Sequence, residues 1–333
     1  MNYPKISIVT ASFNQGRYIE QTILSVLDQN YPNLEYIIID GGSTDETVEI
    51  IKKYEQRLAY WISEPDKGQT DAINKGFAKC TGEIFNWINS DDYYEPGTFL
   101  KLAQLFSNDP SVNVVCGREW GFNDDHPTDK ILHLGSIIGK NVFETIRIGI
   151  IDQPCTFFKR ENISRSFPLD TSLKYVMDRQ LWWSYLLKYG QENILQTNEV
   201  FTNFRLHSQS KSIGKADQFE AEFDRLKLTL FRQLNAPEIL EKQLQENLVI
   251  LNKSWEISIR PYAFITAAFA AWYAERNYIK NNLRAVSKLM KLVMKWKGLQ
   301  LTKSEWKLWI KTNLIPVYLL MQMKQIKSKI HFL

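Results

Sequence analysis

The stretch Trp87-Ile88-Asn89-Ser90-Asp91-Asp92 is an apolar run that ends on two adjacent carboxylates. Adjacent acids repel unless a positive charge lies between them. A hard divalent cation carrying a substrate phosphate meets that need. The alternative is a polar turn whose acids cap a helix starting at Pro96. Asp40 ends a second apolar run, Tyr36-Ile37-Ile38-Ile39-Asp40, and Gly41-Gly42-Ser43-Thr44-Asp45 follows. A strand-end acid can grip a ribose, or it can cap the next helix, with Ser43 or Thr44 as a further cap. Asp66-Lys67-Gly68 sets a charge pair beside a flexible glycine. An ammonium there would offset a diphosphate; otherwise the segment is a solvated loop. Asp178 precedes Arg179-Gln180-Leu181-Trp182-Trp183 at a helix start, where the dipole favours a carboxylate. As a general base it would need hydrogen-bond reach to an acceptor hydroxyl. His207 lies between Arg205 and Lys211, a setting for an anion or a metal–pyrophosphate, although a lone histidine is more often structural.

These groups need a scaffold that delivers strand ends to one place. Lys5 to Thr10 is short, apolar and β-branched, as in a buried parallel strand. Ile19, Ile23, Val26 and Leu27 recur at helical spacing. Strands then recur at 36–40, 59–63, 84–88 and 112–116, with helices between them, including one over 71–80 and one from Pro96 to about Asn108. This alternation predicts a doubly wound, mostly parallel sheet, whose ligands bind outside the carboxyl ends of the strands. Past Gly117 the rhythm breaks, and the segment to about Gln153 reads as short strands and turns. A strand is expected at 153–160 and a helix at 177–189, with Leu181, Trp182, Tyr185 and Leu186 inward. Residues 205–212 read as a polar, mobile closing segment. From Ala216 onward the pattern is helical.

Composition narrows the function. With 333 residues and 44% hydrophobic content, the chain can build a full core. Met1-Asn2-Tyr3-Pro4-Lys5 runs straight into a strand without the apolar region of a signal peptide. The longest apolar runs are shorter than the ~20 residues of a membrane-spanning helix. Cys80, Cys116 and Cys155 suit a reducing cytosol and suggest no zinc site. The expected location is cytoplasmic. No Gly-x-Gly-x-x-Gly follows the first strand and no Walker A loop is present, which argues against a nicotinamide enzyme or a P-loop NTPase.

Taken together, the strand Ile6–Thr10, the turn Asp40-Gly41-Gly42-Ser43-Thr44-Asp45, the Ala72-x-Asn74-x-Gly76 helix and Asn89-Ser90-Asp91-Asp92 resemble family 2 glycosyltransferases of the GT-A fold. The resemblance covers roughly residues 4–212. It implies an α/β, Rossmann-like, mostly parallel sheet flanked by helices. It also implies a nucleotide-diphosphate-sugar donor, a divalent metal (Mn2+ or Mg2+) and displacement with inversion. By position, Asp40 matches the acid that contacts the donor base, and Thr10 and Ala11 line the same pocket. Ser43, Asp66, Lys67, Asn89 and Ser90 complete the expected donor site. Asp91 takes the metal-binding position of the Asp-x-Asp motif, with His207 as a further metal ligand. Asn89 departs from that motif's first Asp and carries no charge. Met177-Asp178 matches a Glu-Asp pair, with Asp178 as the catalytic base. The Gln-x-x-Arg-Trp motif of processive enzymes is absent, which favours one sugar per encounter. The departing group is a phosphate that needs no protonating acid, unlike the leaving group of a glycosidase.

Residues 1–215 are therefore expected to form the catalytic domain and 216–333 a helical, basic region. From Trp255 to the end, 14 Lys and Arg stand against 3 Asp and Glu, or +11, which leaves −7 for the rest. Val286, Leu289, Met290, Val293 and Trp296 form an apolar stripe between lysines, and Trp306, Trp309, Lys303, Lys307 and Lys311 repeat the combination. Such helices bind anionic membrane surfaces, pack on their own domain, or join subunits into a homo-oligomer. The acceptor is expected to be a saccharide or lipid-linked, in cell-surface polysaccharide or glycolipid assembly, and no nucleic-acid-binding motif accompanies the charge. Two other readings stand beside glycosyl transfer: a sugar-nucleotide-binding protein that has lost catalysis, and a nucleotidyltransferase.

Overall fold

The computed structural model describes residues 3–211, 213–260, 263–297 and 301–313. Met1, Asn2, Ser212, the side chain of Lys311 and the basic tail from residue 314 lie outside the described residues. In chain order the first half runs β1 (Ile6–Ser12), α1 (Gly16–Leu27), β2 (Leu34–Asp40), α2 (Thr47–Lys53), β3 (Tyr60–Ser63), α3 (Gln69–Phe77), β4 (Ile84–Asn89), β5 (Tyr93–Tyr94) and α4 (Thr98–Asn108). Then come β6 (Val114–Asn123), β7 (His126–His133), α5 (Val142–Ile148), β8 (Thr156–Lys159), α6 (Arg160–Ile163), α7 (Met177–Tyr189) and β9 (Ile194–Leu206). Five helices follow: α8 (Ala216–Gln233), α9 (Glu238–Glu241), α10 (Ala263–Ile279), α11 (Leu283–Lys297) and α12 (Lys303–Asn313).

The sheet order is β3-β2-β1-β4-β8-β6-β9-β5, and β7 pairs with β6 off this path. β3, β2, β1 and β4 are mutually parallel, as the strand–helix alternation requires. β1 is buried along its whole length because helices cover both faces. Ile6 and Ile8 point to one side, where Ile19 and Ile23 of α1, Ile51 of α2 and Phe99 of α4 meet them. Val9 and Ala11 point to the other, toward Ala72, Ile73 and Phe77 of α3. The helix α3 lies so close to β1 that a Cβ at Gly76 would collide with the Val9 side chain. Asn74 of the same helix clamps the loop before α7, donating to Leu169 O at 2.8 Å and accepting from Leu169 N at 2.7 Å. The Ala72-x-Asn74-x-Gly76 spacing is thus a packing device.

The second half differs from the expected short strands. β6 and β7 are ten and eight residues long and form an antiparallel pair. Residues 153–155 form a 3-10 turn, and the strand starts only at Thr156. Arg205 and Leu206, expected in a mobile segment, end the 13-residue strand β9, which lies parallel to β6. Its polar stretch Gln196-Thr197-Asn198-Glu199 hides the strand pattern. Neither Ser43 nor Thr44 caps α2, which begins at Thr47.

The C-terminal helices share the apolar core of the sheet. Trp183 of α7 packs with Phe223 of α8 and Phe269 of α10, at ring-centroid separations of 5.5 and 6.1 Å. Val286, Leu289, Met290 and Val293 of α11 are buried in the same cluster as Phe269 and Ala270. The α11 stripe is therefore occupied by packing within the chain. Among the described residues, no helix is long and apolar enough to cross a membrane.

Candidate active site

Strand register sets the first cavity. Ala11 pairs with Ile39 and Asn89, and Ser12 pairs with Asp40, so three strand ends finish in one row. Above that row lies a cavity of about 560 Å³, whose walls include Ala11, Phe13, Asp66, Ser90, Asp91 and Lys211. Asp40 is fully buried and does not reach this cavity. Its carboxylate accepts from Gly42 N (3.1 Å), Ser43 N (2.8 Å), Ser43 Oγ (2.5 Å) and Ser63 Oγ (2.6 Å). Ser43 is spent in the same turn, accepting from Asn14 N at 2.7 Å. The Asp40–Asp45 turn thus fixes the loop after β1 rather than presenting a free acid. Thr10 is also buried, with its hydroxyl paired to Tyr36 Oη at 3.0 Å.

Of the expected donor-site residues, Ala11, Asp66, Asn89 and Ser90 do line the cavity. Asp66 is the carboxylate at the wall, and a Cβ on Gly41 would meet its Oδ2 at 2.9 Å, so glycine lets the two approach. Lys67 is exposed and does not line the cavity, whereas Lys211 does. Phe13 is 59% exposed at the cavity wall, a bare aromatic face that no spacing rule singles out.

The Asn89–Asp92 turn is tied together from three sides. The pairs Tyr93–Asn203 and Tyr94–Thr202 pin β5 to β9, which carries His207 to Asp91. His207 Nε2 lies 3.0 Å from Asp91 Oδ2, and the imidazole packs tilted against Tyr18 with ring centroids 4.7 Å apart. Asp92 is buried and accepts from Arg205 N at 2.9 Å and from Asn89 Nδ2 at 3.0 Å. Burial, then the neighbouring Asp91 charge, push Asp92 well above the usual carboxylate range. Asn89 Oδ1 accepts from Gln69 Nε2 at 2.6 Å, and Lys211 Nζ donates to Gln69 Oε1 at 2.7 Å. Asn89, Asp91 and His207 therefore do come together. Among the described residues, no group of three or more His, Cys, Asp and Glu side chains is placed to hold a metal ion alone.

Asp178 lines a second cavity, of about 390 Å³. Gln69, Asn89, Phe204 and Lys211 line both cavities, so they form a shared wall. Asp178 Oδ1 accepts from Arg179 N at 2.7 Å. Burial pushes its carboxyl up to about 6. The segment before it is held by Glu222 of α8, which accepts from Lys174 N (2.9 Å), Tyr175 N (2.8 Å) and Val176 N (3.3 Å). Val176 is the N-cap of α7, whose amide a helix start leaves without an intrahelical partner, and Lys174 and Tyr175 lead into it. Glu119, His133 and Asp152 line the same cavity. Nothing in their sequence spacing marks them; only the β6–β7 pairing and the 3-10 turn assemble them.

A sheet with order β3-β2-β1-β4 and acids beyond its strand ends is the GT-A arrangement of glycosyltransferases. Residues 7–167 match the family described as Glycosyl transferase family 2, so this part of the chain is a family 2 glycosyltransferase region. It is 28% identical over 220 residues to the putative teichuronic acid biosynthesis glycosyltransferase TuaG of Bacillus subtilis, covering 64% of this chain and 83% of that one. Its fold is similar to S. aureus TarS 1-349 in complex with UDP-GlcNAc, with a TM-score of 0.56 at 17% identity over 92% of this chain and 79% of that one. It is also similar to the mannosyltransferase PcManGT from Pyrobaculum calidifontis in complex with GDP-Man and Mn2+. There the TM-score is 0.53 at 15% identity, over 99% of this chain and 89% of that one.

Proposed function

We propose that this enzyme moves one sugar from a nucleotide-diphosphate-sugar donor to an acceptor hydroxyl, with inversion, in cell-surface polysaccharide or glycolipid assembly. The observation that carries the reading is the wall shared by the two cavities. The donor occupies the cavity with Asp66, Ser90 and Asp91, and the acceptor enters the cavity with Asp178. Asp178 takes the proton of the acceptor hydroxyl. That oxygen bonds to the anomeric carbon as the bond to phosphate breaks, and the nucleoside diphosphate leaves with the electron pair. A base near neutrality suits this task. The ligands of TarS and PcManGT support the donor class, and the name of TuaG supports a polysaccharide product.

Asp91 and His207 would hold a divalent cation, Mn2+ or Mg2+. A carboxylate plus an imidazole fits an ion whose remaining positions go to diphosphate oxygens and water. Ligation through Nε2 puts the ring proton on Nδ1, at the cost of the long 3.3 Å bond from Gln209 N. Such a cation supplies positive charge against the diphosphate as it leaves. Lys211 lines the same cavity and adds a protein cation, whereas the Arg205 guanidinium is paired with Asp124 at 2.6 Å. Asn89 is an uncharged link between Gln69 and Asp92, so its neutrality is no sign of lost catalysis.

The test is incubation with UDP- and GDP-sugars and Mn2+, reading nucleoside diphosphate release. The expected result is turnover of one donor class, stopped by a chelator. Donor binding without turnover would establish a sugar-nucleotide-binding protein. Pyrophosphate made from a nucleoside triphosphate and a sugar phosphate would establish a nucleotidyltransferase.

A further inference from the structure

Asp152 is built into the second cavity in an unusual way. Its backbone is pinned on both sides. Asp152 N donates to Ser136 Oγ at 2.9 Å, and Asp152 O accepts from Thr156 Oγ1 at 2.8 Å and from Cys155 Sγ at 3.4 Å. The next residue is fixed as well, since Gln153 Nε2 donates to Asn86 Oδ1 at 2.6 Å and to Trp87 O at 2.7 Å. The Asp152 carboxylate itself makes no hydrogen bond or ion pair among the described residues, and it lines the cavity that holds Asp178. A carboxylate in a poorly solvated site carries a cost unless a donor meets it. The two side chains beside it, Glu119 and His133, offer it no free donor. Glu119 is an acid, and His133 is already turned to Glu119, at 3.4 Å between Nδ1 and Oε1. Burial pushes its carboxyl up to about 6, with the Glu119 and then the Asp178 charge adding to this and His133 opposing it.

We propose that Asp152 is the specificity-determining residue for the acceptor, accepting a hydrogen bond from a second hydroxyl of the same sugar ring that offers its nucleophilic hydroxyl to Asp178. The acceptor is then a polyhydroxylated saccharide with a free hydroxyl beside the reacting one. Tyr175, half-buried in the same cavity, supplies an aromatic surface for the C–H face of such a ring. An acceptor carrying a carboxylate or phosphate at this second position would meet Asp152 and Glu119 as like charges and be rejected. The inference rests on the glycosyltransferase reading, because it assigns the second cavity to the acceptor.

The test uses the donor found by turnover and a panel of p-nitrophenyl glycosides as acceptors, each paired with the analogue deoxygenated beside the reacting hydroxyl. Asp152→Asn and Asp152→Ala are compared with the unaltered enzyme. The expected result is a rise of about 10–100-fold in acceptor KM. Donor KM and acceptor-free donor hydrolysis stay unchanged, and melting temperature holds. The unaltered enzyme discriminates against the deoxy acceptors, and Asp152→Ala does not. Unchanged acceptor KM in both variants overturns the proposal, and so does a loss confined to donor KM. If the unaltered enzyme turns over no nucleotide sugar at all, the glycosyltransferase reading itself fails, and the role of Asp152 fails with it.

Discussion

Asn89 donates its side-chain amide to the buried carboxylate of Asp92 at 3.0 Å. This contact explains why an amide stands where related motifs carry an acid. An aspartate at 89 would set a second carboxylate oxygen against Asp92, which burial and Asp91 already push above the usual range.

Asn89→Asp is therefore expected to destabilise the fold by about 1–3 kcal/mol at pH 8. The pH dependence has a definite sign. In the unfolded chain both acids ionise near pH 4, whereas in the folded chain ionisation of the pair is held off to higher pH. The folded state then binds more protons, and stability falls as pH rises. Denaturation at pH 4.5 and pH 8 checks this. Equal deficits at the two pH values would remove the Asn89–Asp92 explanation.

Glu222 ties a helix of the C-terminal region to the segment that presents Asp178. Its Oε2 accepts from Tyr175 N at 2.8 Å, and its charge helps hold Asp178 up. Glu222→Ala is expected to cost about 2–3 kcal/mol, from lost hydrogen bonds to a charged group. Transfer should slow while donor affinity holds. Glu222→Gln keeps an acceptor but loses the charge, so its acid limb of activity should move to lower pH. Full activity in Glu222→Ala would show that the segment stands without it.

Burial sets the pH profile of transfer. Asp178 is pushed up to about 6, and below that value it is protonated and cannot take a proton. The kcat for transfer should rise with pH through about 6 and level above it. Asp152, also near 6, should place its own limb on acceptor affinity. A kcat flat from pH 5 to 8 would rule out Asp178 as the titrating base.

Asp91→Asn retains an acceptor for His207 but loses the charge that a cation needs. Nucleotide release should require at least about 10-fold more Mn2+, with the melting temperature preserved. An unchanged Mn2+ titration would take Asp91 out of the metal role.

What could be read from the sequence follows from how local each signal is. Parallel strands buried on both faces give continuous apolar runs, so β1, β2 and β4 were legible, as was α7 from Met177 to Tyr189. Asp91, His207 and Asp178 stand at element ends, where polar residues break an apolar pattern. β9 was not legible, because it is half exposed and carries Asn, Gln and Thr where the sheet edge faces water. Asp40 and Ser43 look the same in sequence whether a strand-end acid faces a ligand or closes its own turn. Only the register with Ser63 of β3 separates the two cases. Asp152 and Glu222 depend on contacts between distant segments, which no spacing rule reports.

The most direct measurement of the central claim is Asp178→Asn, assayed for both transfer and donor binding. Loss of the base should lower transfer by about 10²–10⁴-fold. Thermal stabilisation by the nucleotide sugar with Mn2+ should stay as in the unaltered enzyme, because Asp178 lines the second cavity and not the one with Asp91. An Asp178→Asn enzyme that transfers at the original rate would contradict the account.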